Sequence, residues 1–266
     1  VNNSFNLANA DDYVSNAGML ENATKSPMKK TLVVVGDYWC PYNCWPGTDY
    51  PGFMIEILQK ALAPHGIAID YRLMSWSKAV EEVTSDKIQA IVGISDPAAR
   101  GLLHIAEPLA FSTLHAFTKK GINWKYDGTD SLIGKKIGLV MDYQLNEALS
   151  HYLGTYYYTT RPDMFVFEDG QEAVINNINH LIDGTIDVYI EDVRVVNYYL
   201  NRAKFENYIQ DSGNVPSSKL PLYIAFSKNL PHAQEYIKYI DHAIKSMIES
   251  GEYESLKAKY YIDLEY

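Results

Sequence analysis

The feature that most constrains this fold is an alternation, present twice, of short β-branched apolar runs with segments whose apolar residues recur every three to four positions. The first run, Thr31-Leu32-Val33-Val34-Val35-Gly36, reads as a buried strand. Phe53 to Ala63 places Phe53, Ile57, Leu58, Ala61 and Leu62 on one helical face, with Pro64 and Gly66 as its stop. Ile67 to Leu73 alternates like a strand. Ser75 stands where it would cap a helix running through Glu82, with Trp76, Ala79, Val80 and Val83 on one side. Ala90-Ile91-Val92-Gly93-Ile94 is a strand again. This β-α-β-α-β order implies parallel pairing and a doubly wound α/β sheet. In such sheets ligands sit at the carboxyl ends of strands, where the chain places an aromatic loop at 37–46 and the Ser95-Asp96 turn.

The same logic returns downstream. Strands are expected at Lys135–Met141, Met164–Phe167 and Ile186–Ile190, and helices at Asn146–Leu153, Gln171–Asp183 (stopped by Gly184) and Val193–Ala203. Leu222–Phe226 is one more buried strand. Pro231 then opens a long helix carrying Ile237, Ile240, Ile244 and Met247 on one face; Gly251 breaks it and a short helix, Tyr253–Tyr260, follows.

Other properties narrow the function. With 266 residues the chain makes one large domain or two ordinary ones. Its formal net charge of -10 argues against a nucleic-acid partner, which would require a basic stripe. No apolar run is long enough to span a bilayer. Residues 1–30 read as a leader or arm, and Leu7-Ala8-Asn9-Ala10 resembles the tail of a secretory signal without its apolar segment. There is no nucleophile elbow, zinc-protease motif or P-loop, and His65, His104, His115, His151, His180, His232 and His242 are scattered, which argues against an enzyme and against a metal or other cofactor. The stretch GDYWCPYNCWPG holds the only two cysteines, Cys40 and Cys44. Taken alone they could bind metal, act as a redox pair or staple a loop.

Several segments, in this order, carry a family resemblance: Gly52-Phe53-Met54-Ile55-Glu56-Ile57, with Glu where Asp is usual; Trp76 followed by Lys87-Ile88-Gln89-Ala90-Ile91-Val92; Leu132-Ile133-Gly134-Lys135-Lys136-Ile137-Gly138; Leu181 to Asp192; Leu222 to Ser227; and Gly251-Glu252-Tyr253 with Lys259-Tyr260. Across roughly residues 31–262 the chain resembles the extracytoplasmic solute-binding proteins of ABC importers, of the polar amino-acid type. The resemblance implies a two-lobed, type II periplasmic binding fold: two doubly wound α/β lobes joined by two hinge strands. Lobe 1 would comprise 31–116 and 222–266, lobe 2 120–218, and the hinge strands 115–120 and 219–222. It further implies a periplasmic monomer that closes on a small amine-bearing ligand, in all expectation an amino acid, and delivers it to a membrane permease. A sensor module for a signalling partner is the alternative on the same fold, and a lyase-like enzyme a more distant one.

By the resemblance, Arg100 would fork onto a ligand carboxylate, and Asp192, with Glu191 beside it, would receive the ligand ammonium. Asp192 could equally cap the helix that follows. Trp39 and Trp76 would wall the ligand, with Tyr38 and Tyr42 as neighbours and Ser95 at the adjacent strand end. Where the family carries a small hydroxyl pair for the carboxylate, this chain has Asp142-Tyr143-Gln144. Asp142 with Asp96, Glu191 and Asp192 makes an acidic cleft, which favours a basic amino acid or another amine. In an exported protein the cysteines would pair as a Cys40–Cys44 disulfide. Its short loop would contribute only about 2 kcal/mol globally, so its expected role is local: holding the aromatic wall ready for ligand.

Overall fold

The computed structural model describes residues 30–156 and 159–262, so residues 1–29 of the expected leader lie outside the described residues. Lys30 already belongs to the first strand, β1 (Lys30–Gly36). The chain continues through α1 (Phe53–Leu62), β2 (Ile67–Leu73), α2 (Trp76–Thr84), β3 (Ala90–Ile94), β4 (Leu103–His104) and β5 (Ala110–Lys119). Next come β6 (Ile137–Val140), α3 (Glu147–Tyr156), β7 (Phe165–Glu168), α4 (Ala173–Asp183), β8 (Val188–Asp192) and α5 (Val193–Ala203). The chain closes with β9 (Ile209–Phe226), α6 (Ala233–Ser250) and α7 (Glu252–Lys259).

Among the described residues nine strands form one sheet in the order β2-β1-β3-β9-β5-β8-β6-β7, with β4 paired to β9. The two expected β-α-β-α-β units are both present. β1 lies between β2 and β3 and is parallel to each. β6 lies between β7 and β8 and is parallel to each. β5 and β9 join the units: they pair antiparallel with each other along most of their lengths, while β9 also pairs with β3 and β5 with β8.

Period-two alternation sends side chains to both faces. In β1, Leu32 and Val34 enter the core against α1 and α6, and Val35 packs on the other face with Val80 and Val83 of α2. In the second unit Ile137, Leu139, Val188 and Ile190 pack against Leu149 and Tyr152 of α3, while Val174, Ile178 and Leu181 of α4 cover the opposite face. Both units are therefore true doubly wound layers, and helices cover both faces of the sheet.

Several local expectations change. The strand expected at Leu222–Phe226 starts thirteen residues earlier, at Ile209. Gly213, Pro216 and Pro221 hide it in the sequence. Through residues 209–221 β9 is paired on one side, by β5, and such an edge tolerates prolines and irregular residues. Ser75 occupies the cap position of α2, but its side chain makes no capping bond. The long helix starts after His232, not at Pro231.

Gly138 shows how tightly the second unit packs. A Cβ there would lie 2.4 Å from both Asn177 Oδ1 and Ile186 Cδ1. Asn177 cannot easily retreat, because its Nδ2 donates to the Leu139 carbonyl at 3.1 Å. Gly138→Ala is expected to destabilise the protein by about 1–3 kcal/mol through overpacking, checked by urea denaturation against the parent.

Candidate functional site

A cavity lies where the carboxyl ends of β1, β3, β6 and β8 converge, closed beneath by the crossing strands. Asp37, Trp39 and Asn43 line it from the loop after β1, and Gly93 and Ser95 from the end of β3. Trp76 adds the first residue of α2, Tyr143 and Gln144 follow β6, and Glu191 ends β8. The floor is Ser112 and Leu114 of β5 with Leu220 and Leu222 of β9.

The loop after β1 is held by covalent and backbone links. Cys40 and Cys44 are bonded as expected, with Cα atoms 4.8 Å apart. Beside that ring Trp39 N–H donates to the Asn43 carbonyl at 2.8 Å, and Asn43 N–H returns a bond to the Trp39 carbonyl at 3.0 Å. Gly52 closes the loop from behind. Its φ is 113°, and a Cβ there would stand 2.4 Å from the Tyr42 carbonyl oxygen, so this close approach requires glycine. Trp39 and Tyr42 stack with ring centroids 4.7 Å apart.

Hydrogen bonds cross the cleft from this loop and its neighbours. Trp39 Nε1 donates to Glu191 Oε1 at 3.1 Å. Tyr143 donates its hydroxyl to Asp37. Trp76 Nε1 donates to the Asp142 carbonyl at 3.0 Å, and Ser95 Oγ to Gln144 Oε1 at 2.6 Å. Further out, Ser77 Oγ donates to Asp169 at 2.7 Å. The two halves therefore meet in a closed arrangement around the cavity.

Two buried carboxyls dominate its electrostatics. Glu191 is 1% exposed. Burial pushes its carboxyl up to about 8, even though it accepts bonds from the Asp192 N–H, the Tyr189 hydroxyl and Trp39. Asp37, 5% exposed, is pushed up by burial to about 6, with the Tyr143 bond opposing the shift. Among the described residues no Lys, Arg or His lines the cavity to neutralise them.

Trp39, Trp76, Ser95, Tyr143 and Glu191 are thus brought together. Asp192 is not on the cavity wall. Successive residues of a strand point to opposite faces, and with Glu191 turned to the cavity, Asp192 turns away. It is fully buried and caps α5, its Oδ1 accepting from Arg194 N–H at 2.8 Å and Val195 N–H at 3.2 Å. Its Oδ2 accepts from Thr113 N–H at 2.8 Å and the Tyr42 hydroxyl at 3.3 Å, which ties β8 to β5 and to the aromatic loop. Burial raises its carboxyl above the ordinary range.

Arg100 is exposed and, with Asp142, borders a separate hollow of about 420 Å3 that shares Tyr143 and Gln144 with the cavity. It ends a short 3-10 turn, Ala98–Arg100, that Gly101 stops in the left-handed conformation. Tyr38 lies outside as well, its hydroxyl 3.3 Å from that of Tyr198 and its ring against Trp45. Asp37, Asn43 and Ser112 are polar lining residues to which the sequence assigned no role, and Gln144, named beside Asp142 and Tyr143, joins them. Asp37 directly follows β1 and was findable from the strand-end rule; Asn43 was not, because only the folded loop turns it inward.

Residues 32–263 match the bacterial extracellular solute-binding proteins, family 3. The chain belongs to that family. Its members are extracytoplasmic binding proteins rather than enzymes, and among the described residues no helix is long and apolar enough to cross a membrane. A comparison with curated proteins finds no match. Among solved structures this solute-binding protein is similar to an ancestral arginine-binding protein bound to arginine, with 18% identity, a TM-score of 0.70 and coverage of 88% of this chain and 99% of that one. It is similar to a structure concerned with glutathione import via GshT and the cystine ABC importer TcyBC of Streptococcus mutans, at 19% identity and TM-score 0.71, covering 88% and 95%. A histidine kinase sensor domain with similarity to periplasmic binding proteins matches at 18% identity and TM-score 0.70, covering 87% and 96%. At these identities the likeness establishes the two-lobed type II fold.

The carboxyl shifts give this solute-binding protein a pH signature. The folded state holds the Glu191 proton that an unfolded chain, at the ordinary value of 4.5, has lost. The stability contributed is complete below that value and is lost as pH rises through about 8. Glu191→Gln should therefore melt close to the parent near pH 5 and above it near pH 8.5. Thermal melts of the ligand-free proteins at both pH values check this, and a difference that does not grow with pH would contradict it.

Proposed function

We propose that this protein is a periplasmic receptor that captures a small amine-bearing solute between its lobes by hinge closure. The observation that carries the reading is the pairing of Glu191 and Asp37 in one buried cavity whose lining contains no cationic side chain among the described residues. An incoming ammonium supplies the missing positive charge and donates charge-assisted bonds to both carboxylates. Trp39 and Trp76 add aromatic faces suited to a cation. The ammonium-binding role expected for Asp192 passes in this reading to Glu191, because Asp192 is engaged in capping α5.

Hinge closure is assigned to the crossing strands. β9 changes partner from β5 to β3 at Leu222–Tyr223, and β5 pairs with β8 from Leu114 onward. This exchange of partners supports a bend near 110–113 and 219–222, beside the 115–120 stretch expected for the first strand. The family and the importer context of the Streptococcus mutans structure support delivery to an ABC importer. The histidine kinase sensor domain on the same fold supports a second reading, in which the closed state is read by a signalling partner. A monomer suits either role, and the Cys40–Cys44 bond suits an oxidising compartment.

Titration calorimetry at pH 7 with small amines, lysine, arginine, ornithine and polyamines, against glutamate, tests the ligand class. Amine binding weakened about tenfold or more in Asp37→Asn and Glu191→Gln is the expected result, matching the loss of a charge-assisted bond. Heat from glutamate with none from any amine would overturn it. A Cys40→Ser, Cys44→Ser variant is expected to bind amines more weakly while remaining folded; unchanged affinity would remove the stapled loop from the account.

A further inference from the structure

Asn43 is fully buried, and its Oδ1 and Nδ2 both lack a hydrogen-bond partner among the described residues. Its backbone N–H and carbonyl are already engaged with Trp39. Two glycines make room for the carboxamide: a Cβ on Gly36 or Gly93 would lie 3.2 or 3.3 Å from Asn43 Nδ2. The disulfide-closed loop therefore delivers a polar group into the cavity wall and leaves both ends unsatisfied. A buried amide in that state is costly unless something else completes its bonds. The side chain offers one acceptor and one donor whichever way the amide is turned. A ligand that satisfies it brings both a hydrogen to give and an oxygen to receive.

The charge around Asn43 decides what kind of oxygen. Asp37 and Glu191 share the cavity, and no Lys, Arg or His among the described residues lines it. Arg100, the residue expected to clamp a carboxylate, is exposed in the neighbouring hollow. A carboxylate brought into this space would face two carboxyls with no counter-charge at short range in a low dielectric. A neutral hydroxyl or carboxamide oxygen meets no such penalty. The cavity is small, about 40 Å3, which favours a compact ligand.

Resting on the amine reading above, we infer that the ligand is a small amine bearing a neutral hydroxyl or carboxamide group that Asn43 reads, and that the site selects against the corresponding α-amino acid. The ammonium engages Glu191 and Asp37; the neutral group completes the Asn43 carboxamide.

Calorimetry on the full chain at pH 7 with glycinamide, 2-aminoethanol, ethylamine and glycine tests this. Glycinamide or 2-aminoethanol is expected to bind about tenfold or more tighter than both ethylamine and glycine, the gain of one well-made buried bond. In Asn43→Ala that advantage over ethylamine should vanish; near-ultraviolet circular dichroism verifies that the variant is folded. If it is not, the four-ligand comparison in the parent decides alone. Glycine binding as tightly as glycinamide overturns the inference and leaves the amine reading standing. Ethylamine equal to glycinamide and 2-aminoethanol in the parent also overturns it. If none of the four binds, the inference falls, and the amine reading is decided by the lysine, arginine, ornithine and polyamine titrations.

Discussion

Glu191 is the group on which the rest of the cleft depends. Its carboxyl is buried at the end of β8, where it receives the Asp192 N–H and the Tyr189 hydroxyl from its own strand and the Trp39 indole from across the cleft. Those bonds lower its pKa, yet burial outweighs them. The result is a carboxyl held neutral near pH 7 that becomes a strong anion once a cation arrives to compensate for lost solvent. Asp37 repeats the arrangement from the other half, with the Tyr143 hydroxyl reaching over from the end of β6. Each half thus contributes one carboxyl and one aromatic donor aimed at its counterpart. The contacts that close the halves are also the contacts that define the cavity.

This reciprocity requires a precisely placed loop after β1, and the chain invests several features in it. The Cys40–Cys44 bond and the paired Trp39–Asn43 backbone bonds fix its course. Gly52 lets α1 begin directly behind it, and Gly36 and Gly93 clear space for Asn43. Tyr42 is fully buried beneath Trp39 and reaches Asp192, the cap of α5. The loop therefore belongs mechanically to the first lobe but touches the second through Trp39 and Tyr42. A loop fixed in this way has little left to order when ligand binds.

Much of the fold was legible because periodicity reports burial. The parallel units showed themselves through runs such as Leu32–Val35 and Ala90–Ile94, flanked by helices with a clear apolar face. The crossing strands were harder to read. β9 carries Gly213, Pro216 and Pro221 along a stretch with one partner, so its sequence looks like loop. The site was legible where position alone suffices: Trp39, Trp76 and Ser95 stand at strand or helix ends. It was not legible where phase decides. Glu191 and Asp192 differ by one residue, and only the strand's rotation shows which faces the cavity. Asn43 depends on the approach of Gly36 and Gly93 from distant strands, a three-dimensional fact with no local signature.

The central claim is that a ligand cation takes over the charge balance of Glu191. Calorimetry of amine binding at pH 7, repeated in buffers of different ionisation enthalpy, measures the protons exchanged. The account requires proton release on binding, because Glu191, at about 8 before ligand arrives, must ionise to meet the cation, and that release should be lost in Glu191→Gln. Binding with no proton exchange in the parent, or with the same release in the variant, would contradict it.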